Sequence, residues 1–269
     1  MGRRMKATDL TPENRFVGML VGPSGSGKTV AACSFPHPIY VFDFDGRIRG
    51  LLGANFISRE GIEYDYYPPR ELGLIDRIQK KCELFEMFSE QSKYDMLPKT
   101  VLLDSLTSET FAMLTQCIPL THSKDGKGKG KFIGTMAMAG PEDYGFEAQS
   151  TYNILSFFRS VRIPNIIVSA HIVQKYGKLD PDNLYAESVV VGEKLSVRDK
   201  IGENSLIYFD HVFRFDKRES AGSEHYYVKF RGDLPIKTAY SELPYGEIDI
   251  TRKSLYDTIM NYTKQPSPA

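Results

Sequence analysis

Residues 21–30 read VGPSGSGKTV, and the reading of this stretch decides the fold. Gly22, Pro23, Ser24, Gly25, Ser26, Gly27, Lys28 and Thr29 satisfy the spacing G-x-x-x-x-G-K-[ST] at every position. Glycines at these places let successive backbone N–H groups curl around a phosphate, an approach that a Cβ would block. Lys28 would then bridge the β- and γ-phosphates, and the Thr29 hydroxyl would hold Mg²⁺. Val30 continues into a helix whose N-terminus favours the same negative charge. Upstream, RFVGMLVG (15–22) is a short apolar run ending in glycine, a buried strand feeding the loop. Strand, glycine-rich turn and helix in that order favour a phosphate site over a serine-rich turn.

Working outward, the first helix should be brief, because Pro36 and Pro38 stop it. IYVFDFD (39–45) reads as a second strand and the alternating IEYDYY (62–67) as a third. From Leu72, apolar residues at Ile75, Ile78, Cys82 and Phe85 have the spacing of an amphipathic helix. TVLLDS (100–105) and NIIVSAH (165–171) are continuous apolar runs, the pattern of parallel strands covered on both faces. Between them the sequence predicts helices near 107–117 and 142–161, separated by an irregular stretch. Residues 172–205 are polar and weakly periodic, which predicts a functional loop. HVFRFD (211–216) and EHYYVKFRGD (224–233) read as an antiparallel pair around KRESAGS, and a helix over 252–263 closes the fold. The expectation is one α/β domain over 15–262, with a mainly parallel core sheet and a C-terminal antiparallel extension. An N-terminal arm (1–14) precedes it, and a disordered tail (263–269) follows.

The chain has 269 residues, and its 41% hydrophobic share is enough for a sizeable core. Lys plus Arg equals Asp plus Glu, 34 each, so any contact with nucleic acid must come from a local patch. Cys33, Cys82 and Cys117 form no C-x-x-C pair, which argues against a zinc site or a disulfide framework. No apolar run reaches bilayer length, and the basic start MGRRMKATDL lacks the apolar segment of a signal peptide. The cytoplasm is the expected location, without a membrane partner.

A phosphate loop of this kind needs a second acidic group at the end of another strand. Asp104 at the end of VLLD supplies it, completing with Thr29 the expected Mg²⁺ ligands. The next residue is Ser105, not glutamate, so the carboxylate that polarises the attacking water must lie elsewhere. Asp43 and Asp45 lie two apart and would point to one side of their strand. Asp45 is the favoured base, with Asp43 as alternative or support. His171, ending NIIVSAH, would stand where a γ-phosphate sensor belongs, although a lone histidine can equally be structural.

A phosphate loop, an acidic pair on the next strand, LLDS, and a polar residue ending a further strand together resemble the RecA-like layout. The abrupt GKTVAACSFPHPIYVFDFDG resembles in particular the compact phage-encoded RecA-like ATPases, core-only relatives of the RecA and Rad recombinases. The resemblance implies an ATP- and Mg²⁺-dependent P-loop ATPase acting on single-stranded DNA in recombination or strand annealing. It further implies a homo-oligomer, ring or filament, and a single-stranded-DNA-binding protein as a further partner, in the host cytoplasm. Asp45 and His171 are departures, standing where RecA proteins carry glutamate and glutamine. Lys229 and Arg231 resemble the K-x-R finger that such proteins insert into a neighbour's nucleotide; a solvated strand face is the alternative. Lys124, Lys127, Lys129, Lys131 and Phe132 lie in a glycine–lysine stretch placed like the first DNA loop of RecA, where lysines could follow phosphates and the ring could stack. The segment 172–204 is placed like the second. A helicase-like motor, a loader, a packaging ATPase or a non-catalytic clamp would use the same core.

Overall fold

The computed structural model describes residues 15–121, 131–133, 136–178, 188–220, 222–232 and 236–263. The chain runs β1 (Phe16–Gly22), α1 (Lys28–Ala32), β2 (Ile39–Asp43), β3 (Ile62–Tyr66), α2 (Leu74–Glu90), β4 (Thr100–Asp104) and α3 (Leu106–Thr121). It continues through β5 (Lys131–Ile133), β6 (Met136–Met138), α4 (Pro141–Ser160), β7 (Asn165–Lys178), β8 (Ser188–Leu195) and α5 (Asp199–Ser205). Last come β9 (His211–Ser220), β10 (Ser223–Lys229), β11 (Glu247–Asp249) and α6 (Leu255–Thr263). The main sheet has the order β11-β10-β9-β1-β7-β4-β2-β3, with β8 paired to β7. From β9 to β3 every pairing is parallel, whereas β10 and β11 add antiparallel strands at one end. This is the α/β fold with a mostly parallel sheet and C-terminal antiparallel strands that the sequence predicts.

Period-two alternation builds two cores, one on each face of the sheet. In β1, Val17, Met19 and Val21 face one core with Leu74, Ile78 and Phe85 of α2, Met113 of α3 and Phe158 of α4. Phe16 and Leu20 face the other, with Ala31 and Ala32 of α1 and Leu255 and Ile259 of α6. Both faces are therefore covered, which is why these strands are nearly pure apolar runs. Helix α4 starts where Pro141 fits the first turn and the Asp143 carboxylate accepts the Gly140 N–H at 2.6 Å. None of the described helices is long and apolar enough to cross a membrane.

Among the described residues, the expected loop after His171 is instead largely regular. Strand β7 continues to Lys178 and forms an antiparallel hairpin with β8, and α5 follows. Most hairpin residues beyond Val173 are exposed on both faces, so no apolar alternation marks the strands in the sequence. The irregular stretch before α4 likewise contains the short β5–β6 pair. The final helix begins at Leu255, three residues later than predicted.

Candidate functional site

Parallel strands end on one side of the sheet, and ligands of open α/β folds bind outside those carboxyl ends. The order of strands places β7 between β1 and β4, and the register sets His171 opposite Gly22. The three sequence signals at Gly22, Asp104 and His171 thus meet at one edge. A cleft of about 960 Å³ lies there, lined by Ser24–Ala31, Asp45, Arg47, Asp104, His171 and Tyr226 among others.

Gly22 ends β1 against β9: a Cβ at this position would lie 2.5 Å from the Phe215 carbonyl oxygen and 2.9 Å from Ser26 Oγ. Gly25 and Gly27 take φ values of +77° and +85°, left-handed backbone that glycine adopts without a Cβ penalty. The buried Lys28 side chain folds back over the loop. Its Nζ donates to the carbonyl oxygens of Gly22 (2.9 Å) and Pro23 (2.8 Å). Burial lowers the Lys28 pKa to about 8 against the opposing pull of Asp104 and Asp45. Thr29 Oγ1 donates to Asp104 Oδ2 at 2.7 Å, and Ser169 donates to Asp104 Oδ1. Burial pushes the Asp104 carboxyl up, while these two hydrogen bonds hold it down. A hydroxyl and a carboxylate side by side at the loop mouth are hard oxygen donors of the kind Mg²⁺ takes together with phosphate oxygens and water.

The two aspartates of VFDFD do not act as a pair. Strand β2 stops at Asp43, so strand alternation does not carry through to Asp45. Asp43 is buried, and its carboxylate accepts the backbone N–H groups of Gly46 (2.7 Å), Arg47 (3.3 Å) and Ile48 (3.4 Å). It closes the turn after the strand. Asp45 faces the cleft: Oδ1 accepts Ser105 Oγ–H at 2.8 Å and Ser108 Oγ–H, and Oδ2 lies 3.0 Å from His171 Nε2. Burial would raise its pKa, but hydrogen bonds from His171, Ser108 and Ser105 outweigh it and bring it to about 2.

His171 connects the rest. Its Nδ1 lies 3.5 Å from Lys28 Nζ, and its backbone N–H donates to Thr107 Oγ1 at 3.1 Å. A proton on Nε2 suits both ring contacts, since Asp45 only accepts and the Lys28 ammonium only donates. The His171 carbonyl accepts the Ser196 N–H at 2.8 Å, and Ile172 pairs with Leu195, so the β7–β8 hairpin starts at this residue.

Lys229 and Arg231 line no part of this cleft. Lys229 ends β10 opposite Arg214 and Glu247 and borders a separate hollow of about 470 Å³. Arg231 lies beyond the strand, its Nη2 donating to the Tyr240 carbonyl at 2.8 Å and its guanidinium 5.1 Å from the Tyr245 ring centroid. Strand β10 ends at Lys229, so strand alternation does not carry Arg231 onto the face of Lys229. Lys124, Lys127 and Lys129 lie outside the described residues, and Lys131 and Phe132 fall on β5.

Several site residues carry weaker sequence signals. Ser169 stands two before His171 and so shares its side of β7. Ser105, Thr107 and Ser108 are the hydroxyls of DSLTS at the start of α3. Arg47, donating to Ser24 Oγ of the loop, carries no signal beyond following Asp45 by two. Arg214, held by Glu193 through two contacts of 2.8 Å, shares with Arg47 a depressing effect on the Lys28 ammonium.

Fold and loop together define an α/β architecture of the P-loop NTPase type. No protein-family model matches the chain, and no curated protein matches it. Among solved structures it is similar to the flagellar accessory protein FlaH from Methanocaldococcus jannaschii, at 11% identity and TM-score 0.44 over 89% of this chain and 85% of that one. It is also similar to a KaiC-like protein from Pyrococcus horikoshii OT3, at 13% identity and TM-score 0.44 over 90% and 88%. At these identities the similarity is one of fold.

Proposed function

We propose that the chain is a Mg²⁺- and ATP-dependent RecA-like ATPase whose nucleotide state governs a contact with single-stranded DNA, in recombination or strand annealing. The observation that carries this reading is the position of His171, between the phosphate-loop lysine and the first residues of an exposed hairpin. Lys28 would hold the γ-phosphate of a bound nucleotide, and drawing Lys28 Nζ to it would change the partner of His171 Nδ1, now 3.5 Å away. His171 would pass that change to the hairpin stem through its carbonyl, which accepts the Ser196 N–H, and through the adjoining Ile172–Leu195 pair. Lys175 and Tyr176 on the stem are exposed, offering a cation for phosphates and a ring for a base, while Lys194 is exposed but pairs with Asp199 at 2.7 Å. The glycine–lysine stretch with Lys124, Lys127, Lys129, Lys131 and Phe132 is the other proposed DNA contact. Turnover measured with and without single-stranded DNA, with the same sample imaged by negative stain, tests the reading. Stimulation together with assembly is expected, and absence of both would sink it.

A second reading, a nucleotide-dependent clamp with little or no turnover, is favoured by Asp45. Three donors already occupy its carboxylate, and a pKa near 2 makes a weak base. Tight ATP binding and nucleotide-dependent DNA binding without phosphate release would select the clamp.

A further inference from the structure

The cleft continues past the phosphate loop into a part that the loop motif does not account for. Its wall there includes Tyr226 of β10 and Ile250, just past β11. Gly27 abuts the tyrosine ring: a Cβ on Gly27 would lie 3.0 Å from Tyr226 Cδ1. The ring is also held in place. The Tyr226 N–H donates to Thr251 Oγ1 and its carbonyl accepts the Ile250 N–H, both at 2.8 Å. Its hydroxyl donates to Glu224 Oε2 at 2.8 Å. A half-buried aromatic ring is thus fixed in the cleft, against the residue that precedes Lys28.

We propose that Tyr226 is the platform on which the base of a bound nucleoside triphosphate stacks, with Ile250 beside it. This rests on the phosphate-loop reading above and adds the rest of the ligand to it. Three observations carry the assignment. A volume of about 960 Å³ exceeds the needs of three phosphates and falls within the range of about 300–1,000 Å³ usual for small-molecule sites. The ring and the loop share one cleft, so one molecule can reach both. The ring is already ordered by its hydrogen bonds, so stacking on it costs little further conformational entropy. Phe56 also lines the cleft but is 43% exposed, and it serves as the rival aromatic.

Calorimetric titration with Mg–ATP and with inorganic Mg–tripolyphosphate separates the base from the phosphates. Wild type should bind ATP more tightly than tripolyphosphate. Tyr226→Ala should lose about tenfold or more in ATP affinity, the loss usual for one base–aromatic stack. Its tripolyphosphate affinity should not change, which also shows that the variant is folded. Tyr226→Phe should stay close to wild type. If alanine disrupts β10, Tyr226→Leu keeps an apolar chain against Gly27 without the aromatic face and should show the same selective loss. Unchanged ATP affinity in the alanine and leucine variants, or transfer of the loss to Phe56→Ala, would overturn the subsite. Equal wild-type affinity for the two ligands would also overturn it while leaving the phosphate loop intact. Failure of wild type to bind either ligand would instead refute the phosphate-loop reading and take the subsite with it.

Discussion

Replacing Asp45 by asparagine tests the polar network more severely than removing the side chain would. The carboxylate accepts from Ser105, Ser108 and His171, joining the turn after β2, the start of α3 and the end of the parallel part of β7. Asparagine keeps one oxygen for the serines but turns an N–H₂ donor toward His171 Nε2. The ring must then move its proton to Nδ1, where it meets the Lys28 ammonium, another donor. The depression of the Asp45 pKa from 3.8 to about 2 sets the scale of the loss. At about 1.4 kcal/mol per pH unit this amounts to about 2 kcal/mol, or a fall in Tm of about 4–8 °C for a domain of this size. The sign in pH follows from linkage. A carboxyl held below its unfolded value stabilises fully above 3.8, and the contribution fades as pH falls toward 2. Thermal melts of both proteins should therefore show a gap that is full at pH 5 and shrinks toward pH 3. Equal Tm values at pH 7, or a gap indifferent to pH over that interval, would refute the reasoning.

Gly22→Ala should destabilise by about 1–3 kcal/mol or more, because its Cβ meets the backbone oxygen of Phe215 at 2.5 Å and no flexible atom can yield; denaturant unfolding reads this directly. Glu109 is fully buried, and burial raises its pKa to about 8, with Thr151 donating to it at 3.0 Å. The folded state keeps a proton that the unfolded chain releases near 4.5, so wild-type stability should fall as pH rises from about 4.5 to 8. Glu109→Gln should remove that slope, melting above wild type at pH 8 and level with it near pH 4. If Lys229 completes a neighbour's site, Lys229→Ala mixed with Lys28→Ala should regain part of the turnover that each lacks alone. Turnover in Lys229→Ala equal to wild type would dismiss the finger.

What the sequence conveyed depended on how local each signal was. The phosphate loop, Asp104 and His171 were legible because each combines an apolar run with a polar residue at its end, a pattern set by strands buried on both faces. Alternation failed at Asp45 because the carboxylate of Asp43 itself closes the turn that ends β2. The β7–β8 hairpin was hidden because it projects beyond the packed sheet and buries little on either face. Tyr226 was out of reach for another reason. Its contact with Gly27 joins segments about two hundred residues apart and arises from the pairing of β10 with β9.

The most direct test of the central claim is the affinity for a labelled single-stranded oligonucleotide, measured by anisotropy at fixed salt. It is taken with and without a non-hydrolysable Mg–ATP analogue, for wild type and for Lys28→Ala. If His171 couples the phosphate loop to the hairpin, the analogue should tighten wild-type binding by about fivefold or more and leave Lys28→Ala unmoved. Wild-type affinity that is the same with and without the analogue would contradict the coupling.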